Sequence, residues 1–270
     1  MKNLSRLCFI TALTLPMIAL SNDRPQNTNH WGYSLGLGSL YAPSYLGDDE
    51  AQISALPNFR ISYGDTFFAS LGEGIGYKLA LSDNWKIGPI IKYDFGRDET
   101  GSNPLTLDED NTDLLGLGDI EGTPEAGLFI ENSFFGITTK VEVRQGIGGH
   151  ESVVGEASIS YQGITRLGRQ AIMYSLGPEV KYLSQEYAGR YFNVNAEQSI
   201  ASGLNQYNID QEALIMGVKA NLIFPHSRHL ASIIFANTAE LDDTLAQSSL
   251  VTERGDKSQT TLGYFLNYTF

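Results

Sequence analysis

Three groups of residues have side chains that could do chemistry. In the segment from Gly136 to Ile147, Lys140, Glu142 and Arg144 occupy alternate positions, while Ile137, Thr139, Val141 and Val143 occupy the others. A strand with a side-chain period of two would put the charges on one face and the apolar residues on the other. Asp119, Glu121 and Glu125 repeat the pattern on the preceding segment and could meet those charges. Opposite charges facing one another inside a narrow barrel form an internally satisfied network that fills the lumen. The alternative use of the same charges is a selective pore or a small-ligand site.

The second group is histidine-centred: His150-Glu151-Ser152 in one loop, and His226 and His229 beside a tight turn. A hydrolase needs a nucleophile and a base within hydrogen-bond reach and an acid to orient the base. Adjacency in sequence does not supply that geometry on a chain whose side chains alternate. No catalytic residues are assigned. No metal-ligand spacing, phosphate loop or dinucleotide fingerprint occurs, so no metal and no cofactor are expected. The third group is an acidic loop from about Gly96 to Leu117 with Asp98, Glu99, Asp108, Glu109, Asp110 and Asp113. It could hold divalent cations weakly; its plainer role is to stay solvated.

Strands must position these side chains. The last nine residues read Leu262-Gly263-Tyr264-Phe265-Leu266-Asn267-Tyr268-Thr269-Phe270, with Leu262, Tyr264, Leu266, Tyr268 and Phe270 on one face. Such a strand meets two solvents, and it resembles the closing strand and assembly signal of bacterial outer-membrane barrels, carried here by Tyr264, Leu266, Tyr268 and Phe270. At the other end Lys2 and Arg6 precede an apolar run from Leu7 to Leu20 and the small residues before Asn22. That is the form of an export signal, residues 1–21, too short and too interrupted by Pro16 for a spanning helix. Cys8, the only cysteine, would leave with it, so neither disulfides nor thiol chemistry are expected.

Composition narrows the class. The chain carries 18 Lys and Arg against 31 Asp and Glu, a net charge of −13, which removal of Lys2 and Arg6 would take to −15. Nucleic acid is not an expected partner. Mean hydropathy is −0.15, and beyond the export signal no apolar run is long enough for a helical span. Membrane insertion must then be as a closed barrel, the other structure that satisfies every backbone group in lipid. Twenty-eight glycines, fourteen tyrosines and thirteen phenylalanines suit small lumen-facing positions and aromatic girdles.

After a polar lead at 22–30, one barrel domain is expected over 31–270: all-β, antiparallel, up-and-down and transmembrane. Its strands begin with alternating Trp31, Tyr33, Leu35 and Leu37, and continue near 53–63, 66–81, 85–95, 119–131, 136–147, 152–163, 171–184, 211–224, 230–241 and 257–270. Eleven segments conflict with the even number usual in bacterial barrels. Splitting Thr66–Leu81 at Glu73-Gly74 gives about twelve, and ten is the alternative. Pro57 falls inside a strand, tolerable only where its missing N–H is not needed. Short connections such as Asn132–Phe135 and Pro225–Arg228 alternate with long ones, the longest from Gln185 to Asp210, the asymmetry of periplasmic turns and outer loops.

Tyr93-Asp94-Phe95-Gly96-Arg97-Asp98-Glu99, Leu117-Gly118-Asp119-Ile120-Glu121-Gly122-Thr123 and Val141 to Glu151, in that order and spacing, resemble the MltA-interacting protein family (MipA/OmpV) of Gram-negative outer membranes. Tyr41 to Asp49, Phe67 to Ser70 and Tyr191 to Val194 also fit, so the resemblance spans about 31–270. It implies an outer-membrane barrel without a catalytic motif: a scaffold between murein transglycosylases and synthases in some members, a surface antigen or adhesin in others. The partners that follow are outer-membrane lipid and lipopolysaccharide, the barrel assembly machinery and a murein enzyme. The remaining alternatives are a small selective pore and an outer-membrane hydrolase.

Overall fold

The computed structural model describes residues 30–100, 107 and 111–270. The expected export signal, the lead up to residue 29, and Asp108, Glu109 and Asp110 lie outside the described residues. The strands are β1 (Trp31–Pro43), β2 (Ala51–Tyr63), β3 (Phe67–Ser70), β4 (Gly74–Tyr77), β5 (Leu79–Ala80), β6 (Trp85–Asp94), β7 (Thr123–Phe134), β8 (Ile137–Gly146), β9 (Val153–Leu167), β10 (Gln170–Leu183), β11 (Ala213–Pro225), β12 (Leu230–Leu241) and β13 (Ser258–Thr269). Apart from β4 and β5, which both pair with β6 and not with each other, each strand pairs antiparallel with its chain neighbours, and β1 pairs with β13, so the sheet closes on itself.

β4 and β5 are one wall strand interrupted at Lys78. The pairs Ile75 with Ile91 and Leu79 with Ile87 keep a single register across the break, which puts Pro89, without an N–H to donate, opposite the end of β4. The barrel therefore has twelve strands. The division of 66–81 falls where the glycines suggested, with β3 ending at Ser70 and β4 starting at Gly74.

Alternation sorts side chains as a membrane barrel requires. Along β13, Leu262, Tyr264, Leu266 and Tyr268 are exposed outward, while Thr261, Phe265 and Asn267 are buried inward. Trp31 packs against Tyr63 and Phe67 with ring centroids 5.1 and 5.9 Å apart, part of an aromatic girdle at the end that carries both chain termini of the barrel. The connections at this end are tight turns. At the other end the long loops fold into helices that sequence periodicity did not reveal: α1 (Gln185–Phe192), α2 (Ala196–Ser202), α3 (Asp243–Ala246) and α4 (Ser249–Arg254).

Those helices cap the barrel. Tyr187, Ala188, Tyr191 and Phe192 of α1 are buried with Leu183, Ala213, Ile215, Leu241, Leu245 and Val251 in one apolar cluster. Tyr45, Leu114, Leu117, Val194, Leu204 and Leu250 form a second. Apolar burial at about 25 cal/mol per Å² makes such a cap a stable part of the fold. One stretch of wall is low. β3 pairs with β2 only over Arg60–Tyr63, and β4 meets β6 only at Ile90 and Ile91, so above the β3–β4 hairpin no strand among the described residues lies along the edge of Ala55–Phe59 that faces away from β1, or along the edge of Lys92–Asp94 that faces away from β7.

Candidate functional site

The largest gathering of charge lies inside the barrel, below the cap. Arg144 on β8 is its hub: Nε meets Glu125 Oε2 on β7 at 2.7 Å, Nη2 meets Glu156 Oε1 on β9 at 2.7 Å, and Nη1 is bonded to Glu142 two residues back. Lys92 on β6 reaches Glu142 at 2.5 Å and Glu156 at 3.1 Å, and Lys140 reaches Glu142 at 2.7 Å. Three carboxylates thus face three cations, and Lys92, Glu125, Glu142 and Arg144 are almost wholly buried. The alternation of β8 puts its three charges inward, and the register that sets Glu142 beside Glu156 brings in β9.

Asp119 and Glu121 are not in this cluster. β7 begins only at Thr123, and both residues are exposed in the segment before it. Gly116 and Gly118 turn that segment with positive φ, and Arg97 and Ile120 exchange backbone hydrogen bonds at 2.8 and 2.7 Å. Asp119 instead accepts the Glu99 N–H at 2.9 Å. Lys92, Glu156 and His150 take the places of those acids. Lys92 had the right parity along β6, as Glu156 had along β9; nothing in either strand alone reveals that they meet.

His150 closes the outer side of the cluster. Its Nδ1 accepts the Ser152 N–H at 3.1 Å, and its Nε2 stands 3.2 Å from Glu125 Oε1. That orientation places the ring proton of a neutral imidazole on Nε2, toward the carboxylate. The Ser152 hydroxyl donates to the His150 carbonyl at 2.5 Å, so it is not presented to the ring as a nucleophile. Gly146 lies so close that a Cβ there would sit 2.3 Å from the imidazole, which fixes the ring in place. The other Ser and His contact, His226 Nε2 to Ser232 Oγ at 2.7 Å, continues to the Tyr264 hydroxyl at 3.0 Å, and no carboxylate among the described residues bonds to that histidine.

Oxygen and nitrogen atoms of Asp94, Glu125 and His150 lie within 4.8 Å of one another, as do those of Asp48, Asp49 and Asp113. In the first group the donors are engaged: Asp94 accepts from Tyr187 and Tyr191 at 2.6 and 2.9 Å, and Glu125 holds Arg144. Burial, followed by the Asp94 charge, pushes both phenols up, so they remain protonated donors. In the second, Asp48 accepts from Glu50 N–H at 3.0 Å and Asn111 Nδ2 at 2.9 Å. These contacts tie the cap to the wall. So does Arg97, whose Nη1 donates to the Tyr191 carbonyl at 2.6 Å and whose burial lowers it to about 10.

Between the charge cluster and the cap lies a cavity of about 130 Å³, lined in part by Tyr45, Lys140, Glu156, Lys181, Lys219 and Asn237. Lys219 pairs with Glu179 at 2.8 Å, and Glu179 accepts from Asn237 at 2.8 Å. Ion pairs belt the lumen around this space.

Residues 35–270 match the family of the MltA-interacting protein MipA. The chain belongs to that family. No curated protein matches it. Among solved structures it is similar to an outer membrane channel from Pseudomonas putida F1, at 12% identity and a TM-score of 0.40, covering 92% of this chain and 100% of that one. It is also similar to the NanC porin, at 7% identity and 0.39, covering 88% and 99%, and to OmpT, an outer membrane protein of Vibrio cholerae, at 8% and 0.34, covering 89% and 97%. The closed wall with its apolar outer face places this MipA-family chain in the outer membrane of a Gram-negative bacterium. In barrels of that kind the short turns face the periplasm and the long loops face out.

Proposed function

We propose that this barrel is a non-enzymatic outer-membrane scaffold whose periplasmic rim docks a murein-processing enzyme of the transglycosylase class. The family's name supports the partner class, and one feature of the rim supports the mode of docking. The β9–β10 hairpin projects past its neighbours: β8 pairs with β9 no further than Tyr161, and β11 pairs with β10 no further than Met173. Beyond them Thr165 to Leu167 pair only with Gln170 to Ile172 across Gly168. At about 3.3 Å per residue the tip stands roughly 15 Å proud of the wall. It exposes Arg166, Arg169, Ile164 and Leu167. Two arginines flanked by apolar side chains on an otherwise acidic protein suit a partner surface.

Beside that hairpin, Phe135 is 85% exposed with φ of 49°, followed by Gly136 at 78°. An aromatic residue in the left-handed region costs stability and is retained where it has a use. A short turn such as Pro225–Arg228 offers a periplasmic partner less surface than the projecting hairpin, which is the better candidate among the described residues. An axial pore is not favoured by a capped mouth and a belted lumen, nor a hydrolase by a serine turned away from its histidine. The barrel assembly machinery would recognise the outward row Tyr264, Leu266, Tyr268 and Phe270, and lipid and lipopolysaccharide would surround the wall.

A pull-down with a purified soluble lytic transglycosylase tests the reading. Wild-type barrel in detergent should retain the enzyme, and the double substitution Arg166→Glu and Arg169→Glu should weaken retention at least tenfold with the folded, heat-modifiable form intact. Sized single-channel steps in planar bilayers, or turnover of lipid or peptide abolished by His150→Ala, would overturn it.

A further inference from the structure

We infer that the low stretch of wall between β2 and β6 is a window that admits one hydrocarbon chain of a membrane lipid from the surrounding leaflet into the lumen. A cavity of about 350 Å³ occupies it, within the range of small-ligand sites. Its lining includes Leu56, Pro57, Asn58 and Phe59, four consecutive residues of β2, and Ile91, Lys92 and Tyr93, three consecutive residues of β6. Consecutive strand residues point to opposite faces. A cavity that touches all of them lies in the plane of the wall and communicates with both sides. On the outer side it meets exposed Phe59, Ile75, Ile91 and Tyr93; on the inner side it meets buried Leu40, Leu56, Phe235 and Phe265.

The strand edges are adapted to such an opening. Ile53 gives its carbonyl to Leu107 N–H at 2.8 Å, and Tyr63 gives its carbonyl to Thr66 N–H at 3.2 Å, both on the side of β2 away from β1. Counting by twos places the Pro57 nitrogen on that same side. Open edges are not tolerated in lipid because unpaired N–H groups find no partner there. Of the three residues that turn this edge toward the gap, Ala55, Pro57 and Phe59, the middle one has no N–H to leave unpaired. The residue that looked out of place in a central strand is thus suited to the rim of a window.

The chemistry selects a hydrocarbon tail over an anionic headgroup. The one lysine at the inner end, Lys92, already has Glu142 and Glu156 as partners. The salt bridges behind it set three carboxylates against three cations, and Lys181, a further cation whose charge reaches Glu125 and Glu156, lines the other cavity and not this one. Asn58, the buried amide on the lining, is bonded to Asn267 at 3.2 Å. What remains is apolar, and what stands outside it in the membrane is acyl chain. With the outer mouth capped, this window is the opening from the wall into the lumen among the described residues.

The full barrel, reconstituted in phosphatidylethanolamine vesicles doped with a phospholipid carrying a diazirine near the end of one acyl chain, tests this directly. After irradiation, adducts mapped by mass spectrometry should fall on inward Leu56 and Phe265 as well as on outward Phe59 and Ile75. Adducts confined to outward residues would overturn the inference. In Leu56→Trp, whose larger side chain fills the inner half of the opening, inward labelling should fall at least tenfold while outward labelling persists. Undiminished inward labelling in a folded variant would show another route and would also overturn it. Should that variant fail to fold, the wild-type map alone decides. Neither result bears on docking at the β9–β10 hairpin.

Discussion

The two sides of this barrel solve the problem of a lumen differently. From β7 to β10 the strands are long and paired on both sides along most of their length, and charged residues line their inner face: Glu125, Lys140, Glu142, Arg144 and Glu156. From β2 to β6 the wall drops to the four-residue β3, and the interior beside it is Leu40, Leu56, Phe235 and Phe265. Buried charges need a dry surround and several partners each, which an unbroken wall provides. Apolar residues lose little when the wall opens onto hydrocarbon. A window is thus tolerable on one side of the barrel and costly on the other.

The sharpest way to break this contrast is to remove the hub of the charged side. Arg144→Ala leaves Glu125, Glu142 and Glu156 facing one another with Lys92 and Lys140 as the remaining cations, and loss of one partner from a buried network costs about 3–5 kcal/mol. Guanidinium unfolding of the barrel in detergent should show the midpoint falling accordingly. An unchanged midpoint would mean that Arg144 is solvated and that this side is a water-filled channel.

On the apolar side the corresponding change is Phe265→Ala. Phe265 is 5% exposed and stacks on Phe235 with ring centroids 6.0 Å apart. Phenylalanine truncations in cores cost about 3–5 kcal/mol, but here an existing cavity adjoins the ring, and lipid can follow it inward. We expect the low end, about 3 kcal/mol, in the same unfolding assay. A larger loss than that of Arg144→Ala would reverse the order of the two sides.

Both sides are joined above by the cap, and one group there gives it a pH dependence. Burial, opposed by the Ser44 and Glu50 hydrogen bonds and aided by the Asp113 charge, pushes the Asp48 carboxyl up to about 6. A raised value in the folded state means that folding favours the proton. The stabilisation is complete below the unfolded value of about 3.9 and is lost as pH rises through 6. With screening by solvent the effect should be about 1–2 kcal/mol. Hydrogen exchange of the Ser44–Glu50 and α4 amides, corrected for intrinsic rates, should show greater protection at pH 5 than at pH 7.5, and Asp48→Asn should abolish the difference.

How far the sequence reveals this molecule differs by region in the same way. Period-two alternation reports the face of each strand, so the inward row on β8 and the outward row on β13 are legible from single segments, whereas eleven segments become twelve strands only through the even number that closure favours. Contacts across the wall are not. Asp119 and Glu121 carry the same alternation as Glu125, yet the glycines at 116 and 118 turn their segment away before β7 begins. Glu156 and Lys92 join the cluster through register and closure, which no single strand encodes. The helices of the cap were hidden because α1 is short and owes its burial to the segments around it, while α2 buries none of its own residues. Pro57 was the one local sign of the window, visible as a violation of strand chemistry before its reason was.

The smallest predicted effect tests the alternation itself, one residue from the largest. Val143 is 53% exposed on the outer face of β8 and adjoins Arg144, which is buried on the inner face. Val143→Leu adds one methylene to a surface already in hydrocarbon, creates no cavity and crowds no packed neighbour. Substitutions of that kind fall within about 0.5 kcal/mol, so the unfolding midpoint should not move measurably. Val143→Arg at the same position should cost about 2–4 kcal/mol if the site lies near the bilayer midplane. A tolerated arginine together with a damaging leucine would mean that β8 presents its other face to the lipid, and the charged lumen described here would have to be turned inside out.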